Sequence, residues 1–460
     1  KNSVNKGGTT RSSRPLRKAR NEGFFFKLKN IVKEEWNMTI QRPKGTQDLL
    51  PGTVEQWQYL EETMRNVCRE YGFQEIRTPM FEATELFQRG VGQTTDIVNK
   101  EMYTFLDKGN RSMTLRPEMT AAVCRAYVED KLYGQPQPVK LFYIGPMFRY
   151  ERPQSGRFRQ FHQFGVEVLG ADQAVVDAEV ISLVWNLYQR LGLTQLEVHV
   201  NSVGCPVCRT KHRAQLQEFL ATRRDGLCKD CQDRFDRNPL RILDCKNPTC
   251  QAATIGAPTT RDTLCEDCST HFERVLALLE VAGVVCRVNP RLVRGLDYYT
   301  KTAFEVMVEE IGAQSAICGG GRYDGLVEEI GGPPTPGFGF AMGLERVLAA
   351  LQVQHKLPED KPKMFAMLVA LGEKAQTEGF SILSALRTQG MSVSMDLLNR
   401  SLKAQLKAAD RQGAKYAFIL GEQELEKKVL IIRDLTLGEQ TEVPLISAVE
   451  EINKMYKRGV

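Results

Sequence analysis

The chain has 460 residues, 42% hydrophobic and 26% charged, the composition of an ordinary globular protein and not of a fibrous or disordered one. At about 150 residues per domain this length accommodates two to four domains, and no run of 18 apolar residues marks a membrane span. The net charge of +6 is uneven, since residues 1–37 carry ten Lys and Arg against three Glu, so any surface for a polyanion on the remaining body must be local.

Residues 1–37 read as a disordered basic tail. Its origin stays open between a transit peptide, an RNA-binding tail and sequence translated from upstream of the true start. Position 1 is not Met, and Met38 stands just before the first organised segment. No apolar stretch follows the charges as a secretory leader would require, so a cytoplasmic protein is expected. Val54 to Tyr71 spaces Val54, Trp57, Leu60, Met64, Val67 and Cys68 as one face of a helix. Phe73–Met80 alternates as a strand whose Pro79 assigns it to an edge or a subunit contact. Glu85–Thr104 reads as loop. Met113–Glu118 reads as a strand running into a helix from Thr120, with Thr120 as its N-cap. There Glu118 is placed either to receive an ammonium group or to pair with Arg116.

Phe142–Glu167 reads as two strands joined by an arginine-rich loop. An apolar run at Leu141–Ile144 turns through Gly145-Pro146, passes Arg149, Arg152, Arg157 and Arg159, and returns in alternation from Phe161 to Val168. Guanidinium groups bind phosphate through a planar fork, so a nucleotide or a nucleic-acid end suits the inner face; a solvated basic turn is the plain alternative. Asp177–Leu191 then reads as an amphipathic helix and Leu196–Val200 as a strand.

Eight of the twelve cysteines fall between Cys205 and Cys268 in four pairs. Cys205, Cys208, Cys228 and Cys231 have the spacing of a four-thiolate zinc site, and Cys245, Cys250, Cys265 and Cys268 form a looser second set. Reduced thiols and disulfides remain the other uses, disulfides being disfavoured without secretion. No His or Glu nearby is placed for metal catalysis. Beyond, Arg291–Val308 is a loop entering a strand, carrying Arg294, Asp297, Tyr298 and Tyr299. Gly319–Gly321 end another strand, as a bulge or a surface for a flat ligand. Gly337–Leu351 is a glycine-punctuated strand leading to a helix with Arg346 in its first turns. After a linker at 357–363, strands and helices alternate to the end, as in a small α/β domain with largely parallel pairing.

Taken together, these segments resemble histidyl-tRNA synthetases, class II aminoacyl-tRNA synthetases, over residues 39–460. Phe73–Arg89 resembles class motif 1, Tyr143–Glu167 motif 2 and Gly337–Val347 motif 3. LVRGLDYY at Leu292–Tyr299, GGRYDGL at Gly320–Leu326 with its neighbouring glycine, and RPKGTQDLLP at Arg42–Pro51 are more specific to the histidine enzymes. The resemblance implies an α+β fold: a catalytic domain at 38–201 and 285–356 with an antiparallel sheet and flanking helices, a Cys-rich insertion at 202–284, and an anticodon-binding α/β domain at 364–460. It implies a homodimer that joins L-histidine to tRNA(His) through histidyl-adenylate, using ATP with Mg2+.

On the family pattern Arg149 and Arg294 hold the α-phosphate as the catalytic cations. Glu151 lies near adenine, and Arg157 and Arg346 face the outer phosphates. Glu118, Thr120 and Gln163 meet the histidine amino group. Glu167 and Tyr299 meet the imidazole, with Tyr298 and Tyr323 lining the pocket. Met119 stands where many relatives have glycine, a departure that crowds the amino-group site without removing a polar contact. The family's insertion is thought to embrace the tRNA acceptor arm; zinc in it is an inference from spacing alone. Arg400, Lys403, Lys407 and Arg411 form a basic stretch that either meets RNA phosphates or is simply solvated. The rival reading is a synthetase-like regulatory subunit of ATP phosphoribosyltransferase, a paralogue that typically lacks the C-terminal domain and the full catalytic set.

Overall fold

The computed structural model describes residues 40–92, 95, 97–153, 156–294, 298–308, 316–358 and 364–458. The basic tail, Asp297 and most of the expected linker lie outside them. Two compact units divide at Leu357 and Pro358.

In the first unit the strands are β1 (Gln74–Glu75), β2 (Phe81–Ala83), β3 (Tyr103–Leu106), β4 (Ser112–Leu115), β5 (Val139–Phe148), β6 (Gln160–Leu169), β7 (Leu196–Ser202), β8 (Cys286–Val288), β9 (Thr300–Val308), β10 (Ala316–Arg322) and β11 (Gly337–Gly343). Eight of them form one sheet in the order β1-β5-β6-β11-β10-β9-β7-β8, antiparallel except for a parallel partner at each edge. β2, β4 and β3 make a small separate sheet.

Period-two alternation gives the large sheet two different faces. Phe164, Val166 and Val168 of β6, Phe338, Phe340 and Met342 of β11, and Phe304, Val306 and Val308 of β9 point to one side. Four helices cover that side, Val54–Glu70, Ala174–Arg190, Glu266–Val281 and Leu344–Val353. Each large side chain fully buried there contributes roughly 1.5–3 kcal/mol. The intervening residues, including Gln163, Glu167, Glu305, Gly319, Gly339 and Ala341, point to the opposite side. Small residues on that face leave the sheet open for a ligand.

Several expectations are corrected. β5 runs straight through Gly145-Pro146, paired with Gln163 and His162. Proline is tolerated there because β1 flanks β5 only at Leu141 and Phe142, so beside Pro146 the neighbour is no ladder strand but Arg116, whose guanidinium donates to the Pro146 carbonyl. The strand expected over Phe73–Met80 is only the two residues of β1, because the carbonyls of Thr78 and Pro79 accept from the Arg116 guanidinium instead of a ladder. The segment read as loop from Glu85 holds a helix, Thr84–Gly90, that buries Phe87. Gly319–Gly321 lie within β10, not at its end, and pair on both sides with a register shift at Gly321/Arg322.

The second unit contains β12 (Met364–Ala370), β13 (Val393–Met395), β14 (Ala414–Leu420), β15 (Val429–Asp434) and β16 (Gln440–Pro444) in the order β13-β12-β14-β15-β16. Only the β12–β13 and β12–β14 pairs are parallel; β14–β15 and β15–β16 are antiparallel, so the expected largely parallel pairing is corrected to a mixed sheet. β16 follows β15 through a tight turn in which Asp434 accepts from the Thr436 and Leu437 amides. Arg400 is tied to Asp396 ahead of the helix Leu402–Arg411, while Lys403, Lys407 and Arg411 are exposed along it.

A buried ionic cluster fixes the large sheet to its helices. Arg322 of β10 and Asp177 of the Ala174–Arg190 helix are both fully buried and directly paired. Asp177 also accepts from His271 Nε2 at 2.8 Å, and Arg322 Nη1 donates to Ala171 O at 3.0 Å. Removing one partner strands a charge in the interior. Asp177→Ala is therefore expected to lower stability by about 3–5 kcal/mol in urea unfolding. A loss below about 1 kcal/mol, the range of an exposed pair, contradicts this reading.

Candidate active site

The open face of the sheet carries an enclosed pocket of about 160 Å3. Its floor is Gln163 and Glu167 of β6 with Gly319 and Gly339. Glu118, Met119 and Thr120 form one wall at the start of the Thr120–Glu129 helix, and Tyr143, Tyr298, Tyr299 and Tyr323 enclose it. All eight residues assigned above to the histidine site line this one pocket, together with the two catalytic arginines, Arg149 and Arg294.

Glu167 has no exposed surface. Its Oε1 accepts from Thr120 Oγ1 at 2.7 Å and from the Tyr143 hydroxyl at 3.4 Å, and its Oε2 accepts from the Tyr323 hydroxyl at 2.5 Å. Glycine at 339, opposite Glu167 in the β6–β11 register, makes this possible, since a Cβ there would lie 1.9 Å from Oε2. Burial pushes the Glu167 carboxyl up to about 8, against the Tyr323 and Thr120 bonds that pull it down.

Thr120 is not the helix cap. Its hydroxyl is engaged by Glu167, and the cap position falls on Met119. The Glu118 carboxylate takes over the capping, accepting from the Thr120 amide at 2.8 Å and the Ala121 amide at 3.0 Å. Arg116 donates to Pro146 O and Thr78 O and makes no bond to Glu118. The Met119 thioether accepts from Thr78 Oγ1 at 3.3 Å. Gln163 Oε1 is buried with no bonding partner among the described residues, an acceptor on a residue that lines the pocket.

A second cleft of about 440 Å3 adjoins the pocket and holds Glu151, Arg157 and Arg346. Arg149, Gln163, Arg294, Gly319 and Ala341 line both spaces. Arg149 donates from Nε to Pro117 O at 2.8 Å and lies over the Phe161 ring. Arg157 Nη1 is 3.2 Å from Glu151 Oε2. Arg294 pairs with Glu305 and passes over Gly319, where a Cβ would collide with the guanidinium. Burial lowers the Arg346 pKa, and the charge of Arg157 lowers it further. Like charges gathered in this way favour an anion between them.

Tyr143, Glu305 and Phe161 were not anticipated. Glu305 had a signal, a carboxylate in the middle of the apolar run AFEVMV. Tyr143 shares a register position with Gly165, whose lack of a side chain admits its hydroxyl.

The eight clustered cysteines form two groups, but not those expected from their order. Cys205, Cys208, Cys265 and Cys268 lie together, as do Cys228, Cys231, Cys245 and Cys250, with ligand atoms in each group within 4.8 Å of one another. The pairing is nested because Cys205 and Cys265 each precede a long helix, Pro206–Ala221 and Glu266–Val281, whose N-termini meet at the base of the insertion. Cys265 N donates to Cys208 Sγ and Cys228 N to Cys250 Sγ, each at 3.1 Å. All twelve cysteines are free.

A family model described as Histidyl-tRNA synthetase matches residues 45–347, and one described as Anticodon binding domain matches residues 366–455. A relative from Desulfitobacterium hafniense (strain DSM 10664 / DCB-2), named histidine–tRNA ligase, is 74% identical over 420 residues, 91% of this chain and 99% of the relative. A relative of the same name from Pelotomaculum thermopropionicum is 57% identical over 410 residues, 89% and 96% of the two chains. The crystal structure of apo histidyl-tRNA synthetase from S. aureus is similar with a TM-score of 0.78 at 41% identity, covering 90% of this chain and 99% of that one. The chain belongs to the histidyl-tRNA synthetase family of class II aminoacyl-tRNA synthetases.

The raised carboxyl of Glu167 makes stability depend on pH. Glu167 ionises near 4.5 when unfolded and near 8 when folded, so its contribution is fully present below about pH 4.5 and is lost as pH rises through about 8. Glu118, also raised by burial, acts in the same direction. Ligand-free protein is expected to lose stability from pH 5 to 9, and Glu167→Gln to flatten part of that slope in urea midpoints. Identical slopes contradict the shift.

Proposed function

We propose that this chain activates L-histidine with ATP and transfers it to the 3′ end of tRNA(His), through the residues assigned above. The observation that carries the site assignment is the sharing of Arg149, Gln163 and Arg294 by the enclosed pocket and the arginine-lined cleft. An amino acid in the first and a nucleoside triphosphate in the second bring a carboxylate and an α-phosphate to the same two guanidinium groups. In-line attack of that carboxylate forms the carboxyl–phosphate bond and breaks the bond to pyrophosphate. Such a step needs positioning and positive charge more than covalent participation. The tRNA terminal ribose hydroxyl then attacks the carbonyl and AMP leaves.

The histidine amino group meets Glu118, Thr120 and Gln163, which supply a carboxylate, a hydroxyl and an amide acceptor. The imidazole meets Glu167 and Tyr299, between Tyr298 and Tyr323. An apolar side chain of similar size leaves Glu167 without a partner for its remaining bonds, a mismatch that in sites of this kind rejects analogues by roughly 10⁴–10⁵. Mg2+ enters with ATP as substrate, since the cleft carboxylates of Glu151, Glu305 and Glu345 are each engaged by an arginine or by His162. The regulatory-subunit reading is not favoured beside 74% identity to a histidine–tRNA ligase and an anticodon-binding match in the C-terminal unit.

The two cysteine groups hold structural Zn2+. Sulfur separations of 3.6, 4.0 and 3.9 Å agree with the roughly 3.8 Å edge of a tetrahedron with Zn–S of about 2.3 Å. The helix-start amides beside the sulfurs favour thiolates. A homodimer through the motif 1 region is supported by exposed Met80, Phe81, Phe105 and Leu106 around the small sheet. Among the described residues no helix is long and apolar enough to cross a membrane; a role in charging tRNA supports a cytoplasmic location.

Purified protein is expected to charge tRNA with labelled histidine as a base-labile ester and to contain about two zinc equivalents per chain. Arg294→Ala is expected to lower the rate of adenylate formation by roughly 10²–10³ while weakening ATP binding far less. Equal losses in both contradict a transition-state role, and metal analysis showing no zinc ends the zinc reading.

A further inference from the structure

The inner cysteine group lies next to the nucleotide cleft in the chain. Cys245 belongs to that group, and its two neighbours, Asp244 and Lys246, line the cleft that contains Arg149, Arg157 and Arg346. The same short segment also borders an adjoining space of about 640 Å3, together with Glu305, the partner of Arg294. Asp244–Asn247 is neither helix nor strand. At its far end Asn247 caps the Pro248–Ala253 helix, accepting from Thr249 N at 3.0 Å; before that it is attached to the insertion core through buried Leu243, a bond from Cys245 N to Ile242 O at 3.2 Å, and the Cys245 thiol, 3.9 Å from the Cys228 thiol.

Lys246 is held only loosely. Its side chain is 78% exposed, and its ammonium group is 3.3 Å from Asp244, an exposed pair worth little. An ammonium on a flexible stem at the rim of an arginine-lined cleft suits a polyphosphate, to which it can turn from Asp244. Its reach depends on where Cys245 is fixed. Four thiolates on one metal fix that position in a way four separate thiols do not.

We propose that metal at Cys228, Cys231, Cys245 and Cys250 positions Lys246 over the triphosphate of ATP, so that loading of the inner site sets ATP affinity in the adenylation step. This rests on the zinc and ATP readings above. The outer group, Cys205, Cys208, Cys265 and Cys268, closes the base of the insertion and has no member adjoining the cleft.

The test is histidine-dependent exchange of pyrophosphate into ATP by the full chain, with zinc measured on the same samples. Lys246→Ala, a surface change that threatens no fold, is expected to keep its zinc, raise the ATP KM roughly fivefold (about 1 kcal/mol) and leave the histidine KM unchanged. Cys250→Ser is expected to lose one zinc equivalent and raise the ATP KM by a similar factor. The double variant is expected to be no worse than either alone, because both remove one contact. An unchanged ATP KM in Lys246→Ala overturns the proposal, as does a multiplicative effect in the double variant. A change confined to the tRNA KM in charging also overturns it, assigning Lys246 to the nucleic acid. Wild-type protein that exchanges normally without zinc sinks the zinc reading and this coupling with it, while leaving the activity intact.

Discussion

The catalytic unit depends on one costly arrangement, a carboxyl with no exposed surface held by three hydroxyls inside a sheet. Glu167 is tolerable there only because Thr120, Tyr143 and Tyr323 donate to it and because position 339 has no side chain to fill the space. Each partner comes from a different element: a helix start, the neighbouring strand β5, and the turn after β10. Assembling this group therefore requires the whole sheet to be in register. A one-residue slip of β11 would put Phe338 or Phe340 where Gly339 stands. Stability is spent in this pocket so that a buried polar group awaits a ligand able to complete its bonds.

The remaining charge on the open face follows the same logic with the opposite sign. Arg149, Arg157, Arg294 and Arg346 converge on one cleft, Arg149 anchored by a carbonyl and a ring and Arg157 and Arg294 by carboxylates. Arg294 crosses over Gly319 to Glu305, so a glycine in β10 again makes room for a polar group. The helix-covered face explains why such a surface is affordable. Phenylalanines, valines and leucines from four helices and the sheet make one continuous core beneath it, and Arg322 with Asp177 pins the layers together.

Much of this was legible in the sequence where alternation or spacing is strong. Phe161–Val168 alternates, and β6 includes it; Trp57, Leu60 and Met64 recur at helical spacing, and that helix forms. The eight residues assigned to the histidine site and the two catalytic arginines converge because they belong to segments that the family resemblance already orders. What was illegible depends on tertiary partners. Gly145-Pro146 has turn chemistry, yet β5 continues through it because β6 pairs on one side and no ladder strand needs the missing proline N–H on the other. Thr120 has the identity of a cap, but its hydroxyl is taken by a residue 47 positions away. The cysteine groups nest first with last, a pairing that spacing along the chain does not reveal. Tyr143 lies within the apolar run Leu141–Ile144, and only its cross-strand partner Gly165 lets its hydroxyl reach the site.

The measurement that tests the account most directly is exchange of pyrophosphate into ATP, without tRNA, across the twenty amino acids for wild type and Glu167→Gln. The account predicts exchange with histidine alone in the wild type and a large loss of histidine dependence in the variant. Exchange supported by another amino acid, or histidine exchange untouched by Glu167→Gln, would contradict the claim that this buried carboxyl reads the imidazole.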